Sequence, residues 1–385
     1  MADRLRVGVI GCGLIAQVQH LPNLRSRPDL FEVVAVADRD MRRARNCAER
    51  FGVASVHEDG EGLLGQEMDA VIICTSWDHA SLVCGAADRG IGVLVEKPLC
   101  LDLATAVELE SRLGARQDRV MLGYMRRYDE AFTELEAMAE VLGPLALLRT
   151  RTAETAASAY LRALPIDEEL KADEDPLRVA SDDYSLLQQR LDGSPWQARL
   201  YKNIILDSLV HEVNMVQAIA GRARSVIFAE LSDGGASVVM RCERATVQLA
   251  WVATPGAARY VQEVQVLGAG GSAVVRFDSP YLAVVAGALT AEGGGPRLAD
   301  SWQKTVGPDV VGAFKRELVA FHRLVVGDRR ARTTLAEAVS DIAVCEAIGR
   351  ASVRGQEVTV EEVPVGGNAG PAATPDGAPS GRAAG

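Results

Sequence analysis

Lysine is scarce in this sequence of 385 residues: only five of its 41 basic residues are lysines, at positions 97, 171, 202, 304 and 315. Acidic residues outnumber basic ones by 52 to 41, and the formal charge is −11. Phosphate backbones are bound by clustered Lys and Arg, so this balance excludes nucleic acid as the main partner. A single phosphorylated ligand stays open, because one helix N-terminus can hold it. Paired cysteines are also missing. The seven cysteines (12, 47, 74, 84, 100, 242 and 345) are odd in number and never spaced as CxxC. That excludes a disulfide framework and argues against zinc or any other metal; reduced, buried thiols in a reducing compartment are expected. No span of 18 apolar residues occurs, and the apolar stretch between Arg6 and Gly11 is too brief for the core of a signal peptide. A soluble, cytoplasmic protein with no membrane partner is the expectation.

What is present suggests two domains. Up to about residue 125, short β-branched runs alternate with helical patterns. Strands are predicted at Leu5–Ile10, Phe31–Ala37, Ala70–Cys74, Gly92–Val95 and Val120–Gly123, with helices such as Met41–Phe51, Ser81–Arg89 and Leu103–Gly114 between them. This is the signature of a parallel sheet wrapped by helices, an α/β domain over residues 1–125. Beyond it, strand-like runs follow one another through short turns, among them Ala146–Thr152, Ser225–Glu230, Ser237–Cys242, Ala245–Val252, Val261–Leu267 and Ala273–Phe277. An α+β domain with a mostly antiparallel sheet is therefore expected over 126–365, closed by helices near Val311–Val325 and Leu335–Val353. Residues 366–385, rich in Gly, Ala and Pro, read as a disordered tail. The acidic stretch 156–200 reads either as a solvated helical excursion or as a lid.

Within the first domain, Val7-Gly8-Val9-Ile10-Gly11-Cys12-Gly13-Leu14-Ile15-Ala16 is a strand entering G-x-G-x-x-A and then a helix. Gly11 permits the tight turn, Gly13 admits a pyrophosphate close to the backbone, and Ala16 lets helix and strand pack. Asp38, ending the second strand 22 residues past Ala16, suits the adenosine ribose hydroxyls. A carboxylate there favours NAD, while Arg39 beside it leaves NADP as the alternative.

Two further constellations carry chemistry. Lys97, the one lysine before Lys171, sits at the C-terminal end of a strand in Glu96-Lys97-Pro98, where ligands of open α/β sheets bind. Pro98 forces Lys97 into an extended conformation and permits a cis bond. A titratable cation there suits acid/base work; a surface lysine capping the strand is the alternative. In Asn203 to Asn214, a helix would put Asp207 and His211 one turn apart on one face, with Asn214 near them. Such a histidine can take a hydroxyl proton while hydride leaves the adjoining carbon, although a plain buried Asp–His pair remains open.

Taken together, these segments resemble the Gfo/Idh/MocA oxidoreductases over roughly residues 5–362. The carriers are Gly11 to Ala16, Glu96-Lys97-Pro98, Gly123-Tyr124-Met125-Arg126-Arg127-Tyr128-Asp129, the Asp207-x-x-x-His211 helix, and Phe314-x-x-Glu317-x-x-x-Phe321. The resemblance implies a Rossmann domain followed by an open-faced antiparallel sheet, often buried in a homodimer or homotetramer. It implies Lys97, Asp207 and His211 as the catalytic trio, and Thr75, His79 and Glu96 on the cofactor side. Arg126, Arg127 and Tyr128, with Asn214, are implied to line the substrate pocket. The chain differs from the family's pattern on the substrate side: Tyr201-Lys202-Asn203 stands where a Gly-rich turn is usual, Asn214 where Asp is common, and the link from Arg149 to Asp207 is longer.

The expected function is an NAD(P)-dependent oxidoreductase acting on a carbinol carbon of a cyclitol, sugar or amino sugar. An NAD-dependent glycosidase and a non-catalytic sugar- or nucleotide-sensing regulator are the alternatives on the same fold.

Overall fold

The computed structural model describes residues 4–76, 79–156, 158–162, 164–171, 184–295 and 297–362. The acidic residues 173–175 and 182–183 and the tail 366–385 therefore lie outside the described residues. The first domain holds six parallel strands: β1 (Leu5–Ile10), β2 (Phe31–Ala37), β3 (Ser55–His57), β4 (Ala70–Ile73), β5 (Gly92–Glu96) and β6 (Val120–Gly123), ordered β3-β2-β1-β4-β5-β6. The order reverses between β1 and β4, and the crevice above that point is where a Rossmann sheet takes its ligand. Val7, Val9, Val71, Ile73, Val93 and Val95 are wholly buried, as strands covered by helices on both faces must be.

The second domain is a nine-stranded sheet: β7 (Leu145–Glu154), β8 (Ala223–Ser232), β9 (Gly235–Cys242), β10 (Thr246–Ala253), β11 (Val261–Gly268), β12 (Gly271–Phe277), β13 (Gly287–Gly293), β14 (Trp302–Val306) and β15 (Val358–Thr359). Its order is β14-β13-β12-β11-β7-β10-β9-β8-β15. Every pairing is antiparallel except β7 with β10. Along β7 the burial alternates: Leu148, Thr150 and Thr152 face the helices, while Arg149 and Arg151 are exposed on the other side. Helices Glu130–Val141, Val210–Ala220 and Leu335–Arg354 cover that first face. The other face is open, and Glu263 holds Arg151 (2.8 Å) and Arg276 (2.5 Å) in a charged ladder across it.

The sequence pattern foresaw most strands to within a residue or two, but β3, β13, β14 and β15 carry too few apolar residues to register. Helix Ala313–Val325 follows the second sheet in sequence yet sends Leu318, Phe321 and Leu324 into the first domain's core, beside Leu5, Leu21 and Phe31. The chain thus returns to the Rossmann layer after completing the sheet, a crossing that no local pattern announces. Helix Leu335–Arg354 starts at a capping box of Thr334 and Glu337 and ends at left-handed Gly355.

The long connection after β7 does not simply project into solvent. Leu161 and Ile166 pack against Val18 and Leu14 of the first domain. Asp167 accepts from Gln17 Nε2 (3.2 Å) and Asn46 Nδ2 (3.3 Å), and Glu169 pairs with Arg42 (2.6 Å). At its other end, the Tyr160 hydroxyl accepts from the backbone N–H of Tyr260 in the second domain (2.7 Å). Residues 158–162 and 164–171 form a strap tying one domain to the other beside the dinucleotide loop.

Candidate active site

Above the reversal point lies a cavity of about 300 Å³, walled by both domains. Its floor on the first domain is Gly13, Leu14 and Ile15. Gly11 lies just behind, at φ +93°, where a Cβ would stand 2.7 Å from the Cys74 carbonyl carbon, so the turn admits only glycine. Gly13 differs: no atom lies within 4 Å of the position a Cβ would take. Its space is open to a ligand. Ala16 is fully buried at the start of a π-type turn, Ala16–His20, that leads into helix Leu21–Arg25.

Asp38 braces this loop. One carboxylate oxygen accepts from the Cys12 N–H (2.8 Å) and the other from the Asp40 N–H (2.9 Å). Arg39 is exposed. A second guanidinium, Arg43, which the sequence reading passed over, stands 3.8 Å from Asp38. Thr75 lines the cavity with its buried hydroxyl unpartnered. His79 is buried beneath it, its ring nitrogens set against the Pro98 (3.0 Å) and Thr75 (2.6 Å) carbonyls, so it ties the loops after β4 and β5 together. The Lys97–Pro98 bond is cis. Glu96 lines the cavity and meets His20 Nε2 at 2.8 Å.

Lys97, Asp207 and His211 meet on one wall. Lys97 Nζ donates to the Asp207 backbone carbonyl and lies 3.4 Å from its carboxylate. Asp207 and His211 were expected on consecutive turns of one α-helix. Instead Tyr201–Leu209 winds in wider π-type turns and becomes α-helical only at Val210–Ala220. Such windings collect at functional sites, and this one still leaves both side chains lining the cavity. His211 is held well below the usual imidazole range by burial, then by the charges of Lys97 and Arg126. It is a neutral imidazole, able to accept a proton.

Of the four residues expected at the substrate, only Arg126 lines the cavity. Its guanidinium lies over Phe277 (4.5 Å) and donates to the Asp278 carbonyl (2.9 Å). Arg127, Tyr128 and Asn214 face away from the cavity, a correction to the expectation for them. Arg127 donates to Asn214 Oδ1 (3.1 Å) and lies near Glu136 (3.6 Å) and Glu337 (3.5 Å). Asn214 in turn donates to Asp341 (2.8 Å), and the Tyr128 hydroxyl meets that of Thr333 (2.9 Å). Seven positions past Asp207, Asn214 has rotated to the buried side of its helix. These three residues fasten the C-terminal segment instead.

Sequence reasoning missed Glu154 and Thr155 at the end of β7, Tyr160 of the strap, and Tyr260 and Gln262 at the start of β11. They come from strand ends and from a connection with no motif of its own, so only the folded sheet gathers them.

The profile of the Gfo/Idh/MocA oxidoreductases, described as having an NAD-binding Rossmann fold, matches residues 5–124. Over these residues the chain is similar to the Rossmann domain of that family. Over 187 residues it is 34% identical to inositol 2-dehydrogenase 3 of Saccharopolyspora erythraea, covering 46% of this chain and 54% of that one. The chain thus spans about half the length of the curated relatives it matches. The fold is shared further. An oxidoreductase domain protein from Kribbella flavida superposes with a TM-score of 0.73 at 18% identity, covering 94% of this chain and all of the other. A scyllo-inositol dehydrogenase from Lactobacillus casei, solved with NAD(H) and scyllo-inositol, gives 0.67 at 17% identity over 93% of this chain and 99% of that one. The Gfo/Idh/MocA Rossmann domain is NAD-binding, and its fit here is physical: Gly13 leaves a backbone cradle that a Cβ would fill, next to an unpartnered Thr75 hydroxyl.

Proposed function

We propose that this protein is an NAD-dependent dehydrogenase that moves a hydride between nicotinamide and a carbinol carbon of a cyclitol, sugar or amino sugar. The observation that carries the reading is the convergence of Lys97, Asp207 and His211 on one wall of a cavity whose floor is the Gly13–Ile15 loop. The printed identities of the inositol dehydrogenase relatives support the substrate class. Asp38 favours NAD over NADP, with Arg39 and Arg43 on the opposite side of that balance.

When bound, the dinucleotide supplies the hydride acceptor, held over Gly13 and beside Thr75 and Glu96. His211 accepts the substrate hydroxyl proton; burial and two neighbouring cations keep it neutral for that role. Lys97 donates to the same oxygen as negative charge develops, a preorganised stabilisation of the oxyanion-hole type. Asp207 fixes Lys97 and accepts a second substrate hydroxyl. Arg126 lines the same cavity and supplies a further cation there. The open face of the nine-stranded sheet is the surface through which we place a homodimer or homotetramer. The direct test mixes the protein with NAD and a panel of inositols, hexoses and amino sugars and follows NADH absorbance. Net NADH formation with a polyol is expected. A protein that binds NAD yet releases no NADH with any member is a sensor or a glycosidase instead.

A further inference from the structure

We propose that Glu154 is a specificity-determining residue: with Asp207 it forms a subsite for the protonated amine of an amino sugar or aminocyclitol. The inference rests on the dehydrogenase reading for its location and narrows that reading's substrate class.

Glu154 ends β7 on the cavity wall, next to its parallel neighbour β10. From β10, Trp251 Nε1 donates to one carboxyl oxygen at 2.8 Å, and the Ser208 hydroxyl supplies a second hydrogen bond. These donors fix the carboxyl rather than neutralise it. Of the other charges lining the cavity, Lys97 is bonded to Asp207 and Glu96 meets His20, while Arg126 donates to a backbone carbonyl and makes no ion pair among the described residues. Among the described residues no cation lies within ion-pair distance of Glu154. Lys97, whose charge acts on Glu154, is held by Asp207 and is the residue assigned to the reacting oxygen. Two carboxyls, Glu154 and Asp207, therefore share one lysine.

Burial and the adjacent Asp207 charge push the Glu154 carboxyl up to about 7. A neutral hydroxyl leaves that imbalance in place. An ammonium set between the two acids gives each a cation and makes charge-assisted hydrogen bonds to both. Thr155, Tyr160 and Gln262 surround the same corner with neutral polar groups suited to the flanking hydroxyls.

The test uses matched pairs that differ by one group, myo-inositol against an inosamine and glucose against glucosamine. For each, kcat/KM is measured with NAD, and Kd is measured against the enzyme–NADH complex. The amine of a pair should be favoured roughly 10- to 100-fold, the range for a hydrogen bond between charged partners. That ratio should shrink with added salt and collapse toward one in Glu154→Gln, while Glu154→Asp restores part of it. NADH binding by each variant reports that the fold is intact, and the salt series needs no variant. If both members of each pair react and bind alike, Glu154 serves a neutral hydroxyl and the proposal is overturned. A ratio that survives in Glu154→Gln overturns it as well, as does failure of both members to bind. If the amine binds more tightly and the preference is lost in Glu154→Gln, yet no compound yields NADH, the subsite stands and the dehydrogenase reading fails.

Discussion

Replacing Lys97 with Met keeps the length and apolar stem of the side chain and removes only its charge and donors. Lys97 donates to the Asp207 carbonyl, stands 3.4 Å from the Asp207 carboxylate, and lines the cavity beside His211. Two effects follow. Loss of a preorganised donor aimed at a developing oxyanion lowers kcat by roughly 100- to 1,000-fold, about 3–4 kcal/mol of barrier. The second effect is on His211, which acts as a base only when neutral. Burial is the first cause of its low pKa and Lys97 the second. Removing Lys97 raises that pKa without restoring it fully, so the acid limb of the pH–rate profile moves to higher pH. The assay is steady-state NADH formation from pH 5 to 9, with NADH affinity measured separately by fluorescence. Affinity should hold, because Lys97 lies on the substrate side of the cavity. Turnover at the native rate would refute the assignment. A rate loss with an unmoved acid limb would remove Lys97 from the surroundings of the base.

Three further outcomes separate cofactor, scaffold and charge. Gly13→Ala should leave the melting temperature unchanged, since its Cβ meets nothing within 4 Å, yet weaken NADH binding measured by titration; equal affinity would move the pyrophosphate elsewhere. Arg127→Met should destabilise the fold by roughly 1–3 kcal/mol in denaturant unfolding, because it leaves the buried Asn214 carbonyl without its donor and takes a cation from Glu337 and Glu136, of which Glu136 keeps Arg332. Its KM should stay native, and a raised KM with native stability would return Arg127 to the substrate. Glu154 rises from 4.5 to about 7 on folding, so between those values the folded state holds a proton that the unfolded state has released. Its contribution to stability is therefore present below pH 4.5, falls as pH rises, and is lost above about 7, by roughly 3 kcal/mol at most. Glu154→Gln should accordingly gain stability relative to the native protein between pH 5 and pH 8; a constant difference would show an unshifted carboxyl.

Apart from β3, the strands of residues 5–124 were legible in the sequence because their information is local. A parallel strand buried on both faces reads as an unbroken β-branched run, and the Gly11 turn is enforced within a few residues by a φ that only glycine tolerates. Lys97, Asp207 and His211 could be nominated by chemistry and by resemblance, but their meeting required the β5 loop and the π-type winding of Tyr201–Leu209 to converge. Arg126 and Arg127 show the limit of local reading. They are adjacent and chemically identical, yet one faces the cavity and the other is sealed among Asn214, Glu136 and Glu337. Period and composition are properties of neighbours in sequence, and they decide elements and turns. Which side of a turn becomes interior, and which lone acid such as Glu154 is left without a cation, depends on charges brought from distant strands, and only the packed sheet decides that.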